Sequence, residues 1–474
     1  MFRFEAFDEN DFLEFLWQGL LDDFIEEVLK RFELYSPKVQ FELILYIRER
    51  LKESLYPEIL AKALEIKEDD AEHIMKGDGK IFEILIAERD NKGKVTGKIC
   101  KALAIPQTSK IITNLSHLKS KLSVLKKLLG YNFAVFFESA FSGGSFMLPL
   151  AVALSVKKIP EDLRFTGKLN SKGEVLKVDF IKEKLEFAQR HNLRLITPLQ
   201  IKKFETIKIY LENETWDIPF YVTSASRQEF LDFKNSDSYQ GKKNLAEFDI
   251  LKGIELFYGL SEENFYLVTG KLSTKETWEG FCKEFYDKIN LIKNRLPGVK
   301  TFHIGIRGAV SFGFALGVLF SHFDPFVFYH YQVVEGIPKY HPIPVFTPRE
   351  LKERLTKEYE LIKPNFEKRG DDLVIILNFS HHEPTADVKR YISENLKEPS
   401  FLILETEKKG NLPVEVFFEV ARESASFIQE IRKTFSFNSY HFFFSCPIPI
   451  AFMVGLAFGH YADGWIYNYE KEEA

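Results

Sequence analysis

Cysteine is scarce in this chain of 474 residues: Cys100, Cys282 and Cys446 stand far apart, and neither C-x-x-C nor H-E-x-x-H occurs. A disulfide framework and a zinc site of those spacings are therefore not expected, and no metal is; the usage fits a reducing cytoplasm. G-x-x-x-x-G-K-[ST] is also missing, which removes a P-loop ATPase. A basic surplus is missing too: 64 Lys+Arg against 69 Asp+Glu gives a net charge of -5. That is not the footprint of a general nucleic-acid binder, so no DNA partner is expected and a phosphate-bearing ligand needs a local site. The opening MFRFEAFDENDFLEF is acidic and has no basic n-region of a signal peptide. A long uncharged run lies between Lys433 and Asp463, where no Asp, Glu, Lys or Arg occurs. Such a run is long enough to span a membrane, but Pro447 and Pro449 in its middle would break a helix. It reads as a buried strand, a turn and a buried helix, with no membrane partner.

Hydrophobic residues make up 45% and charged residues 28% of the chain, the balance of a globular protein long enough for two or three domains. Residues 1–76 carry apolar residues at three- and four-residue spacing, as in FLEFLWQGLLDDFIEEVLKRF, and are expected to be helical. Residues 1–35 hold ten acidic and three basic side chains, a solvated helix face or a docking surface for a partner. From residue 77 β-like segments (KIFEILIAERD, NFAVFFESAF) alternate with helical ones, and the polar KNSDSYQGKK at 234–243 is the expected linker. The expected domains are thus 1–76, 77–233 and 244–474.

The last of these contains a repeat. HIGIRGAVSFGFALGVLFSHFDPFVFYHYQ (303–332) aligns without a gap, at a constant offset of 138, with HFFFSCPIPIAFMVGLAFGHYADGWIYNYE (441–470). Seven positions are identical, pairing His303 with His441, Phe314 with Phe452, Gly317 with Gly455, Phe320 with Phe458, His322 with His460, Tyr329 with Tyr467 and Tyr331 with Tyr469. Each copy reads as strand, turn, glycine-bearing apolar helix and strand, preceded by further strand–helix pairs. The chain is therefore expected to be an α/β multidomain protein ending in two pseudo-symmetric halves with parallel sheets. Ligands on such sheets lie at the carboxyl ends of strands. The candidates there are Thr269, Gly270, Arg307, Gly308, Ser380, His381, His382, Ser445, Cys446 and Pro447. Backbone N–H groups among small residues suit phosphates, and Arg307 suits a phosphate or a stacked base. His303 and His441 read as structural core positions.

FSGGSFMLPLAVALS (141–155) presents Ser145 between two glycines and an apolar run, as a helix cap or a nucleophile. FTGKLNSKGEVLKVDFIKEKLEFAQRHNLRLITP (165–198) favours the second, and both can hold at once, with Ser145 starting the helix and attacking from its N-terminus. Thr166-Gly167, Gly173, Val175-Leu176, Lys182-Glu183-Lys184 and Pro198 resemble the pattern of the Lon proteolytic domain, and Gly143-Gly144-Ser145 resembles its nucleophile segment. The resemblance implies an α+β protease domain with a Ser145–Lys184 dyad, Lys182 and Ser142 being the alternative base and nucleophile. A lysine base must be neutral, which requires desolvation. Phe146-Met147 and Asp179-Phe180 depart from the small residues of the family, which suggests a narrowed, selective cleft.

The two-fold repeat, with RGAVSFGFALG and SCPIPIAFMVG, resembles SAVED domains, fused pairs of CARF-like (Rossmann-like) folds that sense cyclic oligonucleotides. Lon-like and SAVED-like segments in this order resemble the CRISPR-associated Lon–SAVED proteases. That resemblance implies an ATP-independent serine endopeptidase of type III CRISPR antiviral signalling, located in the cytoplasm. Its activator would be a cyclic oligoadenylate, most plausibly cyclic tetra-adenylate, and it would need no catalytic cofactor. A monomer would become a head-to-tail homo-oligomer or filament when liganded, and would cut a partner protein resembling an anti-sigma factor or a toxin-like partner. The alternative is a nucleotide-sensing scaffold whose Lon-like domain is inactive.

Overall fold

The apolar spacing near the N-terminus folds as α1 (Glu9–Trp17), α2 (Ile25–Leu29), α3 (Pro37–Tyr46), α4 (Pro57–Leu64) and α5 (Glu68–Lys76). Local chemistry starts them: the Asp8 carboxylate accepts from the N–H groups of Asn10 and Asp11, and Ser36 caps α3 ahead of Pro37. The structure, a computed structural model, describes residues 8–89, 93–320, 324–343, 351, 359–407, 410, 412–460 and 462–468. His322 and Tyr469 of the repeat lie outside the described residues. The chain divides into two units, Met1–Glu212 and Asn213–Ala474.

In the first unit, β1 (Lys80–Arg89), β2 (Val95–Thr108), β3 (Ile112–Thr113) and β4 (Asn132–Phe137) form a sheet of order β1-β2-β4-β3. The N-terminal helices are not a separate body: Leu16, Phe41, Ile44 and Ile74 share one core with Leu103, Ile105 and Phe136 of the sheet. α6 (Lys119–Leu129) lies between β3 and β4, and after β4 follow α7 (Met147–Ser155), β5 (Leu163–Phe165), β6 (Lys168–Leu169), β7 (Val175–Leu176), α8 (Ile181–Arg190), β8 (Arg194–Ile196) and α9 (Phe204–Leu211). β5 pairs with β8 in parallel, and β6 with β7 as a hairpin whose turn uses Gly173 at φ +78°.

The second unit begins earlier than the polar 234–243 stretch suggests. β9 (Thr215–Thr223), α10 (Arg227–Asn235), the hairpin of β10 (Asn244–Leu245) and β11 (Phe248–Asp249), α11 (Ile250–Tyr258), β12 (Tyr266–Val268) and α12 (Lys275–Arg295) precede the first repeat copy. That copy is β13 (Val299–Arg307), α13 (Val310–Leu319) and β14 (Phe326–Val334), followed by β15 (Ile337–Pro342). β9 pairs in parallel with both β12 and β13, giving the order β12-β9-β13-β14-β15. Residues 215–223 are therefore tied by sheet hydrogen bonds to strands that follow the polar stretch. Within that stretch Tyr239 is buried against His303 and Tyr329.

The second half repeats the plan with β16 (Ile362–Glu367), β17 (Asp372–Asn378), α14 (Thr385–Asn395), β18 (Ser400–Thr406), α15 (Phe417–Thr434), β19 (Ser439–Ser445), α16 (Ile448–Phe458) and β20 (Gly464–Ile466). Its sheet order is β16-β18-β17-β19-β20, with β16 antiparallel to β18 and the other pairs parallel. The uncharged 434–462 run is thus the buried strand β19, a turn at Cys446-Pro447 and the buried helix α16. Among the described residues no helix is long and apolar enough to cross a membrane.

The repeat is visible in the packing. α13 and α16 cross so closely that a Cβ on Gly317 would overlap the carbonyl oxygen of Phe452, and one on Gly455 that of Phe314. These two contacts are exchanged by the 138-residue offset, as a two-fold axis requires. His303 Nδ1 meets Tyr329 OH at 2.8 Å and His441 Nδ1 meets Tyr467 OH at 2.9 Å, again equivalent positions. Both histidines are buried, as expected of structural residues.

Candidate functional site

The residues expected to form sites fall in two clusters, one in each unit. In the first, the Ser145 carbonyl accepts from Gly167 N–H at 3.1 Å, while Lys184 Nζ donates to Thr166 Oγ1 at 3.3 Å. The serine, at the entry to α7, and the lysine, in the first turn of α8, therefore converge on the Thr166–Gly167 dipeptide after β5. Ser145, Thr166 and Lys184 are 8%, 0% and 3% exposed. Burial lowers the Lys184 pKa from its usual 10.5 to about 8, with the Asp179 carboxylate pulling weakly the other way. The alternatives do not share this setting. Lys182 projects into solvent with its side chain 85% exposed, beside Glu186, and Ser142 is exposed with its carbonyl taking Lys121.

The bulky residues beside the serine do not narrow a cleft, contrary to expectation. Phe146 and Met147 are 0% and 1% exposed, and the Phe146 ring packs edge-on against Phe137 at 5.5 Å and against Phe141 at 5.5 Å. They point into the core because Phe146 caps α7, whose next residues are buried throughout. Phe180 is different: it stands 42% exposed at the entry to α8 with φ +57°, a conformation that glycine adopts at no steric cost.

The second cluster lies at the carboxyl ends of parallel strands, where every expected ligand residue is placed. In the first half, Thr269-Gly270 follow β12 and Arg307-Gly308 close β13. Thr269 N–H donates to Thr223 O at 2.9 Å and Ser224 N–H to Arg307 O at 3.2 Å, so three strand ends are joined. The Arg307 guanidinium pairs with Glu229 and lies 4.9 Å above the Tyr331 ring. Glu229, and the contact of Tyr331 with Arg307, were invisible from sequence, because the partner strands and helix are distant along the chain.

In the second half, Ser380, His381 and His382 follow β17, and Ser445, Cys446 and Pro447 follow β19. Phe379 and Ser380 N–H both donate to Ser445 O, at 2.7 and 2.8 Å, and Ser445 Oγ donates to His382 O at 2.6 Å. His381 and His382 are exposed, the His381 ring lying against Gly410. Cys446 is buried and its thiol is pushed far up by desolvation, so only its backbone can serve a ligand. α13 and α16 begin directly after these strand ends, aiming helix N-termini at them. Among the described residues no cluster of acidic, histidine or cysteine side chains suits a metal ion.

Residues 348–474 match the SAVED family model, the SMODS-associated and fused to various effectors sensor domain. The SAVED segment thus covers the second half of the repeat unit, from the residues before β16 onward. No curated protein matches the chain. Among solved structures, an Acinetobacter baumannii Cap4 SAVED/CARF-domain containing receptor with the cyclic trinucleotide 2'3'3'-cAAA is similar at 18% identity and TM-score 0.34, over 53% of this chain and 48% of that one. The same receptor with 3'3'3'-cAAA gives 15% identity and TM-score 0.34, over 53% and 48%. A Moraxella osloensis Cap4 receptor gives 12% and 0.27, over 50% and 44%. The chain spans about half the length of these structures.

Proposed function

We propose that the chain is a cyclic-oligonucleotide-gated serine endopeptidase with a Lon-like dyad, in which the SAVED-containing unit is the sensor and the first unit the effector. The observation that carries the enzymatic part is the buried Lys184, its pKa lowered to about 8 and its amine on Thr166, next to the residue that holds Ser145. The sensor part is supported by the SAVED match and by strand ends that combine a guanidinium, helix N-termini and exposed His381 and His382.

In the reaction, neutral Lys184 takes the Ser145 hydroxyl proton as the oxygen attacks the scissile carbonyl. The resulting oxyanion is stabilised by amide N–H groups at the entry to α7, and the lysine returns the proton to the leaving amine. The ligand is a cyclic oligoadenylate, most simply cyclic tetra-adenylate, acting in type III CRISPR antiviral signalling. Occupancy drives head-to-tail assembly of the chain and releases cleavage of a dedicated protein resembling an anti-sigma factor.

A thermal-shift panel of cyclic di-, tri-, tetra- and hexanucleotides tests the sensor, since a true ligand raises the melting temperature. Ser145→Ala is expected to keep that shift and to lose ligand-dependent proteolysis. Cleavage surviving in Ser145→Ala would refute the dyad. Arg307→Ala is expected to weaken binding of the active ring by about 1–3 kcal/mol, the scale of a lost charge-assisted contact. Unchanged affinity by titration calorimetry would move the site elsewhere.

A further inference from the structure

The Arg307 side chain is 44% exposed at the end of β13, yet its guanidinium already has an anion. That anion is Glu229 of α10, whose side chain is 16% exposed and whose second oxygen accepts from Thr223 Oγ1 at the end of β9. The Tyr331 ring supports the guanidinium from one side. A carboxylate and a phosphodiester use the same guanidinium N–H groups through paired anionic oxygens. Glu229 Oε1 therefore already takes guanidinium N–H capacity that a phosphodiester oxygen would use.

The pseudo-equivalent strand end lacks this pair. Ser445 stands where Arg307 stands in the first half, by the 138-residue offset. Strand register places Asn378 opposite Ser445, as Thr223 lies opposite Arg307. There a carboxylate, Glu383, also reaches the end of the first strand, where it accepts from the Asn378 amide at 2.8 Å. Ser445 carries no guanidinium, so the pair that Arg307 makes with Glu229 has no counterpart at that position.

We propose that Glu229 is an intramolecular occupant of the anion position at Arg307, so that a bound phosphodiester must displace it. Thr223 then retains the released carboxylate. The device sets a threshold: an anion that meets Arg307 alone gains little over Glu229, whereas a ring held at several strand ends displaces it. This rests on the reading of the strand ends as the ligand site.

The experiment compares the full-length chain and its variants for binding of labelled cyclic tri- and tetra-adenylate. Glu229→Gln keeps the size and the acceptor for Thr223 while removing the charge. It is expected to bind the preferred ring about two- to fivefold tighter, the scale of a half-exposed ion pair that no longer has to be broken. In an Arg307→Ala background the same change is expected to give no gain. Should the glutamine variant fail to fold by circular dichroism, Glu229→Asp, which shortens the reach, is expected to show a smaller gain in the same direction. Equal or weaker binding by a folded Glu229 variant, with Arg307→Ala still impaired, overturns the proposal and leaves the ligand site standing. Binding that Arg307→Ala does not weaken overturns both.

Discussion

Replacing Lys184 with methionine is expected to abolish cleavage and, at neutral pH, to make the first unit more stable. The two effects have one cause. Folding buries the lysine to 3% exposure and lowers its pKa from 10.5 to about 8. Because the folded value is depressed for a base, the cationic form is penalised on folding. The penalty is fully present below about pH 8 and is relieved as pH rises towards the unfolded value, so wild-type stability climbs across that window. Its size is about 3 kcal/mol, at roughly 1.4 kcal/mol per pKa unit. Methionine removes it, but leaves the buried Thr166 hydroxyl without its donor, a cost of about 1–2 kcal/mol. The net gain is therefore about 1–2 kcal/mol at pH 7, fading by about pH 10 as the wild-type penalty is relieved. Denaturant titrations of both proteins across pH check this. A variant less stable than wild type at pH 7 would mean that the amine is not desolvated. Loss of the base costs roughly 10²–10⁴ in rate, and the wild-type rate is expected to rise with pH and level off above about 8.

The second large effect lies at the helix crossing of the sensor unit. Gly455→Val and Gly317→Val are each expected to destabilise that unit by at least about 3 kcal/mol. A β-branched side chain at either place meets a helix carbonyl, which cannot turn aside without parting α13 from α16. Even alanine should destabilise here, although alanine gains up to about 1 kcal/mol of helix propensity over glycine. Gly280, exposed in the N-terminal half of α12, would carry a Cβ into open space with nothing within 4 Å, and supplies the control. Gly280→Ala is expected to be neutral or stabilising by up to about 1 kcal/mol. Thermal melts that show the same response at Gly280 and Gly455 would contradict the crossing.

How much of this was legible in the sequence depended on whether the signal was local. The 138-residue repeat and its glycine-bearing apolar helices were legible, but that Gly317 and Gly455 are where the two helices cross is seen only in the packing. The strand–turn–helix reading of 434–462 followed from Pro447 and Pro449. Lys184 was singled out by the resemblance that Lys182-Glu183-Lys184 carries, and only burial separates this desolvated lysine from Lys182 in solvent. Phe146-Met147 were misjudged because residue size does not tell whether a side chain at a helix entry faces the cleft or the core. The boundary was set at a polar stretch because β9 looks like any strand until its parallel partners, far downstream, are known. Glu229 escaped for the same reason: its partner comes from another strand of that sheet.

The most direct measurement is covalent labelling of the purified chain with a fluorophosphonate, with and without cyclic tetra-adenylate, read by peptide mass spectrometry. A serine activated by a neutral lysine displaces fluoride from the probe and keeps the phosphonyl group. The expected result is label on Ser145 that increases with ligand, is absent from Ser145→Ala and Lys184→Met, and grows with pH through about 8. Label on another serine, or no label at saturating ligand above that pH, would contradict a sensor-gated serine–lysine protease.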